Sequence, residues 1–157
     1  MNSLQLNHPP ARIIKDLIVQ LGHGTHWDAG GSWPVHYNQV PDAPDNCICV
    51  HDTDSILQGR DQIGGEVQER FGIQVLVRCS NPTTGYAKAR AIAKSFDEDV
   101  YQAIVEVSQS TYSIHSISRT TGILNVGPEA GALRRYIRTL NATACIRLTD
   151  EDTGTAT

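Results

Sequence analysis

The sequence predicts an α+β fold, a two-layer sandwich whose antiparallel or mixed sheet of about five to six strands is packed by an amino-terminal helix and a long central helix. Ile14, Leu17, Ile18 and Leu21 recur at helical spacing behind Pro9 and Pro10. From Phe71 to Tyr101, FGIQVLVRCSNPTTGYAKARAIAKSFDEDVY, an alternating strand breaks at a polar turn and becomes a second amphipathic helix. The carboxyl third then holds strand-like runs at Tyr112 to Ser118, Ile123 to Val126 and Tyr136 to Leu148.

Pro9 and Pro10 suit a first helical turn because that turn needs no amide donors, and Gly22 supplies the stop. Arg12, Lys15, Asp16 and Gln20 fall between the apolar positions, so one face is solvated and the other is expected on the sheet. The stretch GHGTHWDAGGS from Gly22 to Ser32 is too rich in glycine for a regular element and reads as a loop. Val35 to Val40 suits a short edge strand. CICVH then alternates Cys47, Cys49 and His51 on one face with Ile48 and Val50 on the other. Residues 52–69, DTDSILQGRDQIGGEVQE, are polar and glycine-punctuated, and they read as a projecting loop or hairpin arm.

Ile73, Val75, Val77 and Cys79 alternate with Gln74, Leu76 and Arg78, the period of a strand with one well-buried face. Asn81 and Pro82 end it, Thr83 or Thr84 is expected to cap the next amides, and Tyr86, Ala89, Ala93, Phe96, Val100 and Ile104 continue at steps of three and four. That implies a helix of about five to six turns. In the last long run Leu140, Ala142, Ala144, Ile146 and Leu148 face one way, while Thr139, Asn141, Thr143 and Arg147 face the other. The expected organisation is one domain over residues 1–148, followed by a polar tail at 149–157.

With 39% hydrophobic and 19% charged residues, the 157-residue chain lacks the composition of disorder and is long enough for one core. A net charge of -4 without a basic block removes the electrostatic footprint of a tight nucleic-acid binder. The longest apolar runs fall far short of the ~20 residues that cross a bilayer, so no membrane partner is expected. MNSLQLNHPPAR has no signal-peptide pattern. Cys47, Cys49, Cys79 and Cys145 read as reduced thiols in a chain too core-rich to need a disulfide framework.

Candidate chemistry is sparse, and neither metal nor cofactor is expected. His23 and His26 with Asp28 make an HxxH pair that a small metal-dependent hydrolase could use, but it lies on a glycine-rich loop without an HExxH helix or a CxxC pair. Cys47 and Cys49 could ligate a soft metal, and His51 could serve Cys49 as a base. On a strand their repeat is about 7 Å, which favours core thiols. The carboxylates at Asp42 and Asp45, at Asp52 and Asp54 and at Asp97 to Asp99 lack a partnering cation pattern that would assign acid and base roles, so no enzyme is predicted. Arg134, Arg135 and Arg138 could touch phosphate or pair with carboxylates across a subunit boundary, and the boundary is favoured.

PDAPDNCICVHD, GIQVLVRCSNPTTGYAKARAIAKSF and the glycine-rich turn into RRYIRTLNATACIRL together resemble the tail terminator and minor capsid (head-tail joining) proteins of long-tailed bacteriophages. The resemblance runs from Ala11 to Leu148 and is closest over Pro44 to Val50 and Ile73 to Ala93. In that family the late turn often carries an acidic residue followed by Gly-Arg. GPEAGALRR keeps Glu129 and Arg134 at altered spacing. The resemblance implies a virion structural protein, a hexameric homo-oligomeric ring that stops tail-tube growth and joins the tail to a head connector or stopper, assembled in the host cytoplasm. A head-completion or neck protein is the alternative. Within that role Asp52, Asp54, Arg60, Gln62 and Glu66 are expected to contact subunits or tube, Arg134, Arg135 and Arg138 to line a subunit interface, and Asp97 and Glu98 to face a channel through which DNA passes without specific binding.

Overall fold

Two proline-led helices divide a chain that is otherwise mostly strand. The computed structural model describes residues 6–60, 67–129 and 135–149. The order is α1 (Pro10–Gln20), β1 (Thr25–His26), β2 (Pro34–Tyr37), β3 (Cys47–Asp52), β4 (Ile56–Arg60), β5 (Val67–Cys79), α2 (Pro82–Glu98), β6 (Ala103–Val107), β7 (Ser110–Arg119), β8 (Leu124–Pro128) and β9 (Tyr136–Leu148). The strands form a curled mixed sheet in the order β1-β2-β3-β5-β9-β7-β6, with β4 added to β5 and β8 added to β9.

The α+β class is as expected, but the layering and strand number are not. The glycine-rich loop contributes β1, so β2 is interior, parallel to both β1 and β3, rather than an edge. The expected long helix stops at Glu98, and Ile104 belongs to β6, where Val105 and Val107 are buried and Ile104 and Glu106 exposed. The helical spacing through Val100 to Ile104 is coincidental. Gln102 takes a left-handed backbone at φ 51° and turns the chain between the two elements.

β9 is the spine. One edge pairs with β5 over Phe71 to Cys79, and the other carries β7 and then β8. Ile48, Val50, Ile73, Val75, Val77, Leu140, Ala142, Ala144 and Ile146 turn one sheet face toward Ile13, Ile14, Leu17 and Ile18 of α1 and toward Ala89, Ile92, Ala93 and Phe96 of α2 in a single core. α2 lies along β5, β9 and β7, whereas α1 touches β1, β2 and β3 and also β6 at the far end of the sheet. The curl therefore closes around α1. The four aliphatic side chains of α1 are fully buried, each worth about 1.5–3 kcal/mol by transfer from water.

The helix starts are held differently. Asn81, not either threonine, caps α2, its Oδ1 accepting from Thr83 N at 2.9 Å and Thr84 N at 3.2 Å. Pro9 gives α1 no side-chain cap, and its first turn has no acidic residue. Asp52 supplies the carboxylate from across the chain, Oδ1 accepting from Ala11 N at 2.8 Å. Asn38 fixes Asp52 in turn, donating Nδ2 to Oδ2 at 2.6 Å and accepting Asp52 N at 2.9 Å. Asp52→Ala is expected to lower stability by about 1–2 kcal/mol, with Asp52→Asn losing less. Urea denaturation of the three proteins measures it, and equal midpoints would show that α1 needs no such cap.

Candidate interaction surface

The expected arm is a β-hairpin. β3 and β4 run in sequence along one edge of β5, Cys47 to Asp52 against Arg78 to Ile73 and Ile56 to Arg60 against Arg70 to Val67. At the joint, Thr53 N donates to Gly72 O at 3.0 Å, and a Cβ on Gly72 would lie 2.2 Å from Asp54 O. Only glycine fits there. Beyond Phe71, β5 leaves β9 and pairs with β4 alone among the described residues.

Of the expected contact residues, Asp52 sits at the root with its carboxylate committed to α1 and Asn38, and Asp54 is exposed. Arg60 ends β4, and Gln62 and Glu66 lie outside the described residues. An open groove of about 500 Å³ runs between the root and the amino-terminal segment, lined by Leu6, His8, Pro10, Asp52, Glu69 and Phe71 among others. His8 Nδ1 meets Tyr112 Oη at 2.6 Å and Asn7 Nδ2 donates to Ser110 Oγ at 3.0 Å, so that segment is tied to the start of β7.

The arginines separate into distinct roles. Arg134 lies outside the described residues. Arg135 donates to Asp45 Oδ1 at 2.7 Å, to Glu129 Oε2 at 3.3 Å and to Asp42 O, so its polar atoms are engaged within the chain. Arg138 holds its guanidinium 5.1 Å from the centroid of the Tyr86 ring.

Arg78, expected on the more exposed face of its strand, is almost fully buried at 1% exposure. It donates to Pro44 O at 2.7 Å, Asp45 O at 3.2 Å and Glu129 Oε1 at 3.4 Å. Together Arg78 and Arg135 clamp the loop before β3 and Glu129 after β8 onto the outer sheet face. The available signal was the neighbouring strand: Cys47 pairs with Arg78, and CICV is buried on both faces.

Asp97 is held bidentately by Arg119 at 2.7, 3.0 and 3.2 Å, and these hydrogen bonds lower its pKa. Glu98 is exposed beside Lys94 at 4.0 Å. The histidines of the HxxH pair diverge, His23 Nε2 to Ser95 Oγ at 2.7 Å and His26 Nδ1 toward Asp16 Oδ1 at 3.7 Å, while Asp28 is exposed. Among the described residues no group of three or more His, Cys, Asp and Glu side chains is placed to hold a metal. Cys47 and Cys49 are both buried and bring their sulfur atoms to 3.9 Å, closer than the strand repeat suggests. That contact and burial push the Cys49 thiol strongly upward, away from the thiolate a nucleophile needs.

The arrangement is a body with a β4–β5 hairpin, internal ionic clamps and no described helix long and apolar enough to cross a membrane. A family described as bacteriophage tail terminator protein matches residues 15–145. The chain belongs to that family. It is a phage tail structural protein of the virion. A chain from a solved structure titled "Virion of native gene transfer agent (GTA) particle" is 16% identical, with 71% of this chain and 78% of that one covered at a TM-score of 0.41. A second solved chain is 14% identical, with 89% and 92% covered at a TM-score of 0.44. A search of curated proteins found no match.

For this tail terminator family member, removing Arg78 differs from removing Arg135. Arg78→Ala empties a buried donor site and is expected to cost roughly 2–4 kcal/mol, whereas the more exposed Arg135→Ala is expected to move the midpoint far less. Urea midpoints compare them, and equal losses would refute the clamp's asymmetry.

Burial lowers the pKa of His23, His36 and His51 below the ordinary 6.5. Below about pH 6.5 the unfolded chain therefore binds more protons, so this stability is complete above 6.5 and is lost as pH falls toward the folded values. The melting temperature is expected to drop between pH 7 and pH 5, and His23→Asn to flatten the slope. Calorimetry across that range checks both, and an unchanged slope in the variant would remove His23 from the account.

Proposed function

We propose that the chain is the tail terminator itself: a single ring-subunit domain over residues 1–148 that assembles as a hexamer at the head-proximal end of the tail tube, stops tube growth and presents a surface to the head connector. The observation that carries this reading is the family match over residues 15–145. A terminator must end one polymer and begin a different contact, so it needs a stiff body with surfaces for like copies, for the tube and for the connector. A heterologous interface whose rotation closes makes such a ring.

The rooted hairpin suits contact with a neighbouring subunit or the tube through Asp54, Arg60, Gln62 and Glu66. Asp52 and Arg135 serve inside the subunit, which leaves Arg134 and Arg138 for the boundary between subunits. Glu98 and the Arg119-bound Asp97 suit a channel wall, since an acidic lining repels DNA and lets it slide.

Electron microscopy of the purified protein mixed with tail tubes tests the role. Tubes of uniform length with a density cap at one end are the expected result. Uncapped tubes with the protein free in solution would overturn it. Replacing residues 58–68 by a short turn is expected to abolish capping while the body still melts cooperatively, and full capping by that variant would remove the arm from the mechanism.

A further inference from the structure

Several strand edges lack partners among the described residues: β1 and β6 end the sheet order, β4 pairs with β5 alone, and two more lie on β8 and on the arm half of β5. β8 pairs through one edge with β9 and through its other edge with no described strand. The arm half of β5, Val67 to Arg70, pairs with β4 on one edge, while its other edge has already left β9 at Phe71. An open edge is a row of backbone donors and acceptors that templates further pairing, and proteins commonly guard it with lysine, proline or a short length. β8 is itself short, irregular in register between Asn125 and Gly127 and closed by Pro128, yet it shows Leu124 at 45% and Val126 at 58% exposure, large β-forming side chains pointing into solvent.

From this juxtaposition we infer that the arm of one copy adds its β5 edge to β8 of the next, extending the β9 sheet across the subunit boundary. The inference rests on the ring reading above and names the contact that builds the ring.

The occupant is a second copy because the same chain carries both complementary halves. The arm offers exposed Ile56 to the exposed Leu124 and Val126. It also carries the exposed Asp54 carboxylate and half-buried Glu69, while the β8 side carries the Arg138 guanidinium, cross-strand from Asn125. The two surfaces differ, so the contact is heterologous and propagates around a ring rather than stopping at a pair. Main-chain hydrogen bonds would give this joint its strength and the exposed apolar side chains its register.

Disulfide trapping tests the inference on full-length protein in a Cys145→Ser background, which removes the one described cysteine that is not fully buried. One sample carries Val126→Cys. Two others carry Gln68→Cys or Glu69→Cys, neighbouring positions that face opposite sides of the strand and so cover either register. Each arm variant is mixed with the β8 variant and tail tubes and then oxidised. Directly opposed residues across a strand pair lie about 4.5–5.5 Å apart, within disulfide reach. The expected result is a mixed disulfide between the two variants in one of the mixtures, absent from each variant alone.

Adding Leu124→Lys and Val126→Lys to otherwise unchanged protein is expected to leave the melting temperature unaltered and to reduce capped tubes roughly tenfold. Capped tubes without the mixed disulfide, or a Val126→Cys disulfide formed with itself, would overturn the arm-to-β8 contact and leave the terminator reading standing. Uncapped tubes with the parent protein would overturn both.

Discussion

The burial of one short helix between the two ends of a single sheet is the constraint on which the rest of this structure depends. α1 contributes Ile13, Ile14, Leu17 and Ile18 to the core and touches β2 and β3 on one side and β6 on the other. Those strands are far apart in the sheet order, so the sheet has to curl for both to reach the same helix. Both ends of α1 are tied down. Asp52 holds the amide of Ala11, and Gln20 Nε2 donates to Ile104 O of β6 at 3.1 Å. Because Asp52 is also the last residue of β3, the bond that starts the helix also anchors the root of the arm.

The second constraint is electrostatic and lies on the opposite sheet face. Arg78 is buried near the carboxyl end of β5 and is stabilised because Pro44 O, Asp45 O and Glu129 converge on it. Its reach joins the loop before β3 to the turn after β8, which are far apart in sequence. α2 shows a different compromise. Its carboxyl end carries Asp97, Glu98 and Asp99, the wrong sign for the helix macrodipole, and the Arg119 fork on Asp97 offsets part of that penalty. Ties of this kind join segments distant along the chain and stiffen the body.

Legibility followed how strongly each segment was patterned. α1, the start of α2, β5 and β9 could be read because their apolar positions keep one period over many residues and glycine or proline marks their ends. β6 was hidden because Val100 and Ile104 happen to continue the α2 spacing, and only the left-handed turn at Gln102 separates the two elements. β1 was hidden because it has two residues, too few to show a period. Arg78 was misjudged because charge suggests solvent, and what overrides it is a set of partners 34 and 51 residues away that the local pattern does not show.

Residue order alone determined the class, the two helices and the long alternating strands, because propensity, periodicity and turn chemistry are local properties of the chain. Tertiary structure decided which strand is the spine, that the sheet curls around α1, that Asp52 and Arg135 bond to distant segments of the chain, and which described strand edges stay open. Those outcomes depend on pairing between segments far apart in sequence, where backbone hydrogen bonds and burial choose among arrangements that a local pattern leaves equivalent.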